Sequence, residues 1–305
     1  MTARHVMALR NALWGPDILV APGVYDALTG VLVEQSGFHC AYVSGANIAY
    51  SQLGRPDIGL MGLREIADQI AKIAGRIKIP LVVDGDNGHG NALSVIRTVK
   101  EYERAGAAAI QLEDQALPKR CGHLKGKALV SADEMVGKLR AALDARDDML
   151  IIARCDAIAV EGFEAAIERA ERYVEAGADM LFVEAPENLE QMREITRRFK
   201  SRVPLMANMV EGGSTPITSA ADLQNIGYRF VIFPGGTVRA LVPALQGYFN
   251  SLKTHGTTGP WRDRMLDLTG INAVVGTPEM LALGDRYDPA KHSTNTKAAV
   301  VDGNN

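Results

Sequence analysis

Short apolar runs recur along the chain, and an amphipathic segment follows most of them. The runs predict eight β-strands: Ile18–Ala21, Cys40–Ser44, Pro80–Asp84, Ala109–Glu113, Leu150–Arg154, Met180–Glu184, Pro204–Asn208 and Phe230–Phe233. Strands that are apolar along their whole length are typical of a parallel sheet that is covered on both faces.

The segments between the runs predict helices. Asn91–Ala105 places its apolar residues near helical spacing. Ser131–Ala145 opens with Ser-Ala-Asp-Glu, a capping box with Glu134 in its fourth position. Gly162–Ala176 is followed by Gly177, which is a signal for the end of a helix.

Alternation of strands and helices predicts an α/β fold. Eight strand–helix units over roughly 240 residues are typical of a (β/α)8 TIM-type barrel. The alternative, an open doubly wound sheet, requires a glycine-rich phosphate-binding turn after its first strand. The chain has APGVYDALTG there, without the G-x-G-x-x-G pattern, so the barrel is favoured. We assign residues 1–255 to a catalytic barrel.

The pattern changes after Thr254, where HGTTGP resembles a linker. Short helical patterns follow at Trp261–Leu268 and near Pro278–Arg286, and the polar tail is predicted to be disordered. We expect residues 256–305 to form a C-terminal helical arm that packs on the barrel or on a neighbouring subunit.

Composition narrows the function classes. The 305 residues carry a net charge of −3, which gives no electrostatic footprint for nucleic acid or an anionic membrane. No apolar run is long enough to predict a transmembrane helix, and MTARHVMALRNAL lacks the apolar core of a signal peptide. The three cysteines are too few for a disulfide framework; Cys40 and Cys155 are predicted to be core residues. We expect a cytoplasmic enzyme with a small-molecule substrate.

Polar residues collect at the predicted strand ends, which meet on one rim of a barrel. The acidic members are Asp84, Asp86, Glu113 and Glu184. Any one of them could simply end a strand, but four carboxylates facing one another repel unless a cation lies between them. Because these donors are all oxygens, they favour Mg²⁺, with Mn²⁺ as the alternative ion, over zinc.

The loop from Asp114 to Val130 is long for a connection between a strand and a helix. Its length and glycines suit a lid that closes over a substrate. Cys121 lies between Arg120 and His123, and neighbouring positive charge lowers the pKa of a thiol. The alternative is an exposed basic loop with an incidental cysteine.

Several motifs, in this order and spacing, resemble the isocitrate lyase/phosphoenolpyruvate mutase superfamily: YVSGA, DGDNGHGN, QLEDQ, PKRCGH, ARCDA, VEAP and ANMVEGG. The resemblance covers about Ala21 to Arg286. PKRCGH is its most specific part, because such a loop marks the carbon–carbon lyases of the superfamily. The similar branches are the 2-methylisocitrate, 2,3-dimethylmalate and oxaloacetate-cleaving enzymes.

The resemblance implies a Mg²⁺-dependent lyase that cleaves a 2-hydroxy dicarboxylic acid. The products would be a 2-oxo acid such as pyruvate and a second carboxylic acid, which leaves as an enediolate. Hydrolysis or decarboxylation of oxaloacetate is the alternative activity, and phosphonate mutation is a more distant one.

The resemblance also assigns a metal site. Asp86 would bind Mg²⁺ directly, while Asp57, Asp84 and Glu113 would hold its water molecules. Tyr42 and Glu113 are both candidates for the base that takes the hydroxyl proton.

One half of the substrate, the 2-oxo acid unit, would bind through its carboxylate to the hydroxyl and backbone N–H groups of Ser44, Gly45 and Ala46. Arg154 would fix the substrate near the metal.

The other half would be lined by Glu184, Asn208 and His123, and Cys121 would protonate the enediolate from the lid. The resemblance further implies a homotetramer in which a C-terminal helix is exchanged between barrels.

Four departures from the superfamily pattern lie near these positions. Asn87 replaces a usual Thr, His89 replaces Tyr or Phe, and Cys155 replaces Thr. After CGH the chain has LKGK, where methylisocitrate lyases tend to have Arg-Pro-Asn-Lys. Losing that arginine removes a partner for a third carboxylate and favours a dicarboxylate substrate.

Overall fold

The computed structural model describes residues 2–120, 122 and 126–292. In this part of the chain, parallel strands close into a barrel in the order β1 to β8, with β8 paired to β1. The strands are β1 Leu19–Val24, β2 Ala41–Val43, β3 Leu81–Asp84, β4 Ala109–Glu113, β5 Leu150–Cys155, β6 Met180–Val183, β7 Leu205–Asn208 and β8 Phe230–Phe233. The predicted (β/α)8 barrel is confirmed.

Helices surround the barrel and continue beyond it. They are α1 Thr2–Leu13, α2 Ala27–Gln35, α3 Gly45–Ile48, α4 Leu63–Ala74, α5 Ala92–Ala105, α6 Ala132–Ala145, α7 Ile158–Glu161, α8 Phe163–Glu175, α9 Leu189–Phe199, α10 Ala220–Ile226, α11 Gly236–His255, α12 Leu268–Val275, α13 Thr277–Arg286 and α14 Pro289–His292. A π-helical turn covers Ala49–Leu53 and a 3₁₀ helix covers Gly259–Arg264.

Two predicted helices begin one residue later than expected, because a polar residue caps the first turn. The Asn91 side chain accepts hydrogen bonds from the N–H groups of Leu93 and Ser94 at 3.1 and 3.2 Å. The Ser131 hydroxyl accepts one from the Glu134 N–H at 3.1 Å. Each cap satisfies backbone donors that would otherwise be unpaired at the helix start.

Strand β1 extends beyond the predicted end at Ala21 because Gly23 permits a close approach of the β8 end. A Cβ atom at position 23 would overlap the carbonyl of Pro234. Glycine therefore lets the barrel close tightly at the point where β1 and β8 meet.

Helix α1 was not predicted. Its Val6, Leu9 and Leu13 are buried in one apolar cluster with residues that include Cys40 and Leu150. Cys40 directly precedes β2 and Leu150 begins β5, so α1 covers the amino-terminal end of the barrel.

The chain divides into two compact units, Met1–Pro243 and Ala244–Asn305. The barrel forms the first unit. In the second unit, the Arg264 guanidinium lies 4.8 Å from the ring centre of Trp261, and α12 packs beside α13. Its side chains Leu268, Met280 and Leu281 are exposed. Within the described residues, no helix combines the length and the hydropathy needed to cross a membrane.

Candidate active site

The carboxyl ends of the strands surround a cleft of about 600 Å³. Its lining includes the predicted residues Tyr42, Ser44, Ala46, Asp57, Asp84, Glu113, Arg154, Glu184 and Asn208. Gly45 and Asp86 lie beside them, since a Cβ at position 45 would be 3.6 Å from Asp86 Oδ1. The barrel brings these residues together because parallel strands present their carboxyl ends on one rim.

Arg154 lines the cleft and lies among three carboxylates. Its Nη1 lies 3.3 Å from Glu113 Oε2, and its Nη2 lies 3.7 Å from Glu184 Oε1. Its Nε donates to Asp156 Oδ2 at 2.8 Å. Burial alone would lower the pKa of Arg154, but the surrounding carboxylates outweigh burial and raise that pKa well above its ordinary value. The guanidinium is therefore a permanent positive charge.

Asp84 and Asp86 belong to a hydrogen-bonded chain that begins at Tyr42. The Tyr42 hydroxyl donates to Gln111 Oε1 at 3.2 Å, and Gln111 Nε2 donates to Asp84 Oδ1 at 3.3 Å. The Asp86 N–H also donates to Asp84 Oδ1. Asp86 has a φ of 48°, an uncommon backbone conformation that is often found at functional sites. Burial raises the pKa of Asp86 to about 7, against the lowering effect of Lys119.

The positive charge among these carboxylates comes from the protein itself, which corrects the argument made from the acidic strand ends. Lys119 Nζ lies 2.6 Å from Asp57 Oδ1 and 2.5 Å from Asp86 Oδ1, and this ammonium is buried. Carboxylate repulsion therefore does not by itself require a metal, because the loop after β4 folds back and inserts a cation. Among the described residues, no three side chains of the His, Cys, Asp and Glu types form a ready-made metal cluster.

The residues nevertheless fit Mg²⁺. Glu113 Oε1 is buried and accepts no hydrogen bond from the described residues. A Cβ at position 45 would be in van der Waals contact with Asp84 Oδ2 at 3.4 Å, so glycine keeps the space beside the acids open. Mg²⁺ keeps several waters and needs only one or two protein carboxylates as direct ligands. Asp86 could be such a ligand, while Asp84 and Glu113 could bind the water molecules of the ion.

The described part of the loop after β4 is held by hydrogen bonds. Gln115 accepts from the Arg120 N–H and donates to the Arg120 carbonyl, both at 2.9 Å. Gly122 lies in the cleft lining. The predicted Cys121 and His123 lie outside the described residues, so their roles stay predictions.

The opposite half of the cleft contains Glu184 and Asn208. Asn208 Nδ2 donates to Glu184 Oε1 at 3.2 Å, while Asn208 Oδ1 is buried and has no hydrogen-bond partner among the described residues. Buried polar atoms in native proteins normally have a hydrogen-bond partner. This unpaired oxygen is therefore available to accept a hydrogen bond from a ligand.

Asn47 and Arg239 are among the cleft residues that were missed from the sequence. Asn47 donates to the Pro234 carbonyl at 2.5 Å, and Arg239 lies in the first turns of α11 with its Nη1 2.6 Å from Glu211 Oε2. Both line the cleft. The signal for Arg239 was its place after β8, because barrels often bind anionic groups at the loops after strands seven and eight.

Three of the four departures from the superfamily pattern lie behind the cleft lining. His89 Nε2 is 2.9 Å from the Tyr102 hydroxyl, and Asn87 Nδ2 donates to the Gln115 carbonyl at 3.3 Å. Cys155 is buried with its sulfur 3.7 Å from the carbonyl oxygen of Ala166 in α8. Their effect on substrate choice would therefore be indirect.

Known proteins resemble this chain over most of its length. The model of a protein family described as phosphoenolpyruvate phosphomutase matches residues 9–253. A 2-methylisocitrate lyase of Aeropyrum pernix is 47% identical over 90% of this chain and 88% of its own length. A 2,3-dimethylmalate lyase of Eubacterium barkeri is 39% identical over 92% of this chain and 96% of its own length.

Solved structures agree in fold. A 2,3-dimethylmalate lyase superposes with a TM-score of 0.87 at 35% identity, covering 92% of this chain and 94% of its own. Oxaloacetate acetylhydrolase with 3,3-difluorooxalacetate gives 0.86 at 33% identity, covering 92% and 95%. A phosphonopyruvate hydrolase complex with oxalate and Mg²⁺ gives 0.83 at 30% identity, covering 93% and 99%.

The two sequence relatives are lyases, which confirms the prediction of an enzyme of the carbon–carbon lyase type. The match of the family description to most of the barrel, together with these identities, shows that the chain belongs to the phosphoenolpyruvate mutase/isocitrate lyase superfamily.

Proposed function

We propose that the protein is a Mg²⁺-dependent lyase, with Mn²⁺ as the alternative ion, that splits a 2-hydroxy dicarboxylic acid. The products would be a 2-oxo acid such as pyruvate and a second carboxylic acid. The position of Arg154 carries this proposal, because its guanidinium lies between Glu113 at 3.3 Å and Glu184 at 3.7 Å. A substrate made of two acid units joined by one carbon–carbon bond suits a cleft with two halves on either side of a fixed cation.

The 2-oxo acid half would bind at the ends of β2 and β3. The Ser44 hydroxyl and the N–H groups of Gly45 and Ala46 would bind its carboxylate, and Asp86 would hold the metal. The chemistry that bound Mg²⁺ supplies is a lowered pKa of the substrate hydroxyl and stabilisation of the negative charge that develops there. Arg154 would orient the same half through charge-assisted hydrogen bonds.

Glu113 is the better candidate for the base. Burial raises the pKa of Tyr42 well above its ordinary value, with Asp84 adding to the effect, so its phenol stays protonated and acts as a donor to Gln111. Glu113 instead has a buried carboxylate oxygen, Oε1, that accepts no hydrogen bond from the described residues. Its free Oε1 is the atom that would take the hydroxyl proton.

Bond cleavage would then follow from this proton transfer. The C2–C3 bond breaks, C2 becomes the carbonyl carbon of the 2-oxo acid, and the electron pair stays on C3 as the enediolate of the second acid. The Cys121 thiol would give its proton to C3. His123 would line this half, and a closed loop would exclude water that could protonate the intermediate early.

The second half of the substrate would carry one carboxylate. Glu184 and Asn208 would line this half, and Arg239, which pairs with Glu211, also lines the cleft. The LKGK sequence at 124–127 lacks the arginine that would pair with a third carboxylate. These features support a dicarboxylate of the 2,3-dimethylmalate type over a tricarboxylate of the 2-methylisocitrate type.

Hydrolysis or decarboxylation of oxaloacetate is the second candidate function. The high structural similarity to oxaloacetate acetylhydrolase favours it. Oxaloacetate is a smaller dicarboxylate. It would bind to Arg154 and to the half of the cleft at the ends of β2 and β3, where Asp86 would hold the metal.

A substrate panel tests the proposal. The purified enzyme is offered 2,3-dimethylmalate, 2-methylisocitrate, 2-methylmalate and oxaloacetate with Mg²⁺, and formation or loss of 2-oxo acid is followed. We expect the fastest turnover with 2,3-dimethylmalate and none in EDTA. Turnover of oxaloacetate alone would replace the lyase proposal by the second candidate.

We also propose that the enzyme works in the cytoplasm as a homotetramer that exchanges C-terminal helices. The exposed apolar side chains of the second unit, among them Leu268, Met280 and Leu281, support a partner for this segment. Light scattering after size-exclusion chromatography should give four times the chain mass, and removal of residues 256–305 should reduce it. A monomer at full length would contradict the proposal.

A further inference from the structure

The Lys127 ammonium is buried outside the cleft lining, in a place where it joins two parts of the molecule. Its side chain is 1% exposed, and its Nζ lies 3.0 Å from Asp156 Oδ1, whose side chain is fully buried. The same Nζ donates to the Gly122 carbonyl. One buried ammonium therefore holds both the barrel and the main chain of the loop after β4.

Asp156 faces Arg154 with its carboxylate as well. It accepts hydrogen bonds from Arg154 Nε at 2.8 Å and from Arg154 Nη2 at 3.1 Å. The Asp156 N–H donates to Asp114 Oδ1 at 2.8 Å, and Asp114 Oδ2 accepts from the Tyr173 hydroxyl at 2.8 Å. This second set of bonds fixes Asp156 to α8, so Arg154 and Lys127 are oriented by a carboxylate that cannot easily move.

Gly122 completes a ring of contacts. A Cβ at position 122 would overlap Arg154 Nη2 and Glu184 Oε1, which means that the Gly122 main chain lies directly against both side chains. The ring runs from Gly122 to Arg154, through Asp156 to Lys127, and back to the Gly122 carbonyl.

A gain in stability alone does not explain the buried ion pair between Lys127 and Asp156. Moving two charges out of water carries a large desolvation cost, and well-packed apolar residues often stabilise a protein as well as a buried ion pair does. What an ion pair adds is fixed geometry, because each donor of the ammonium must meet its acceptor.

We propose that Lys127 and Asp156 are positioning residues that lock the Gly122 main chain onto Arg154 and so set the distance between the loop and the substrate. The catalytic part of this inference rests on the proposed lyase function. The locking contact itself can be tested without a substrate.

The main test is Lys127→Met, which keeps the length of the side chain and removes the ammonium. We expect kcat on the substrate found by the panel to fall about 10²-fold, the size of effect that a misplacement of about 1 Å produces. Binding of oxalate with Mg²⁺, measured by calorimetry, should change less than about threefold. A 2-oxo acid analogue would be held by Asp86, Ser44 and Arg154, and the variant keeps both hydrogen bonds from Arg154 to Asp156. Lys127→Arg should recover at least about tenfold of the lost kcat, since it keeps the charge.

Glu103→Gln is the matched control for loss of a buried charged group. Glu103 accepts hydrogen bonds from the N–H groups of Asp147, Asp148 and Met149 at 2.7–2.8 Å, at the amino-terminal end of the barrel. We expect a lower thermal midpoint and an unchanged kcat. Wild-type kcat in folded Lys127→Met, or a loss matched by Glu103→Gln, would overturn the positioning role.

Hydrogen exchange separates this inference from the proposed function. Without substrate, peptides covering residues 114–130 should exchange faster in Lys127→Met than in the wild type and in Glu103→Gln. If the wild type cleaves no panel substrate but exchange is still faster in Lys127→Met, the lyase proposal fails and the contact between Lys127 and the Gly122 main chain is supported. If exchange is the same in Lys127→Met as in the wild type, the proposal that Lys127 holds the Gly122 main chain is overturned, whichever substrate the wild type cleaves.

Discussion

Replacing Gly122 by alanine should slow the reaction strongly with little cost to the fold. A Cβ at this position would lie 3.0 Å from Glu184 Cδ and closer still to Arg154 Nη2, where 3.4 Å is an ordinary contact. Relief of this overlap requires the loop and Arg154 to separate by about 1 Å, and a misplacement of that size typically lowers a catalytic rate by about 10²-fold. The effect should appear in kcat, because the three atoms nearest to the added methyl group belong to Arg154 and Glu184 and not to Asp86 or Ser44.

The assay is steady-state kinetics of Gly122→Ala on the substrate found by the panel, with Gly137→Ala as the control. Gly137 lies in α6, and nothing stands within 4 Å of a Cβ placed there. Alanine in a helix is more stable than glycine by about 0.5–1 kcal/mol, so the control should gain stability and keep wild-type kinetics. A wild-type kcat for Gly122→Ala would refute the idea that the loop lies against Arg154 during the reaction.

Three further predictions concern the metal and the thiols. Asp86→Ala should abolish activity and Mg²⁺ binding by calorimetry while circular dichroism stays unchanged; full activity in EDTA would remove the metal from the mechanism. Cys121→Ser should lower kcat by about 10²–10⁴-fold with little change in KM, because a serine hydroxyl is far less acidic than a thiol. Near-normal turnover of the carbon–carbon cleavage substrates by this variant would contradict the lyase proposal and favour oxaloacetate decarboxylation, which needs no acid from the loop. Burial raises the pKa of Cys40 to about 12 and that of Cys155 well above its ordinary value, so neither should react with a thiol reagent at neutral pH before the protein unfolds, and labelling of either in the folded enzyme would contradict their burial.

The barrel could be predicted because each strand is buried on both faces and so is apolar along its length. Strands β4 and β8 have the predicted limits, and the other strands differ at their ends. Helix α1 could not be predicted in the same way. Its Val6, Leu9 and Leu13 find their partners only when the strand ends come together, and nothing in the local pattern identifies that surface.

The strand-end residues of the site could be predicted because barrel topology alone brings them together. The place of Lys119 could not, since its partner Asp57 is 62 positions away and depends on how the loop after β4 folds. The same holds for Gly122, whose importance comes from what lies against it. Arg239 was missed because β8 ends in apolar residues and is followed by glycines, so no polar residue marks this strand end.

Proton NMR of the reaction in D₂O with Mg²⁺ tests the central claim, that this cleft breaks a carbon–carbon bond between two acid units. With 2,3-dimethylmalate, we predict pyruvate and propionate in equal amounts, with one deuterium at C2 of the propionate from protonation of the enediolate. Intact 2,3-dimethylmalate, together with conversion of oxaloacetate to acetate and oxalate or to pyruvate and carbon dioxide, would contradict the claim.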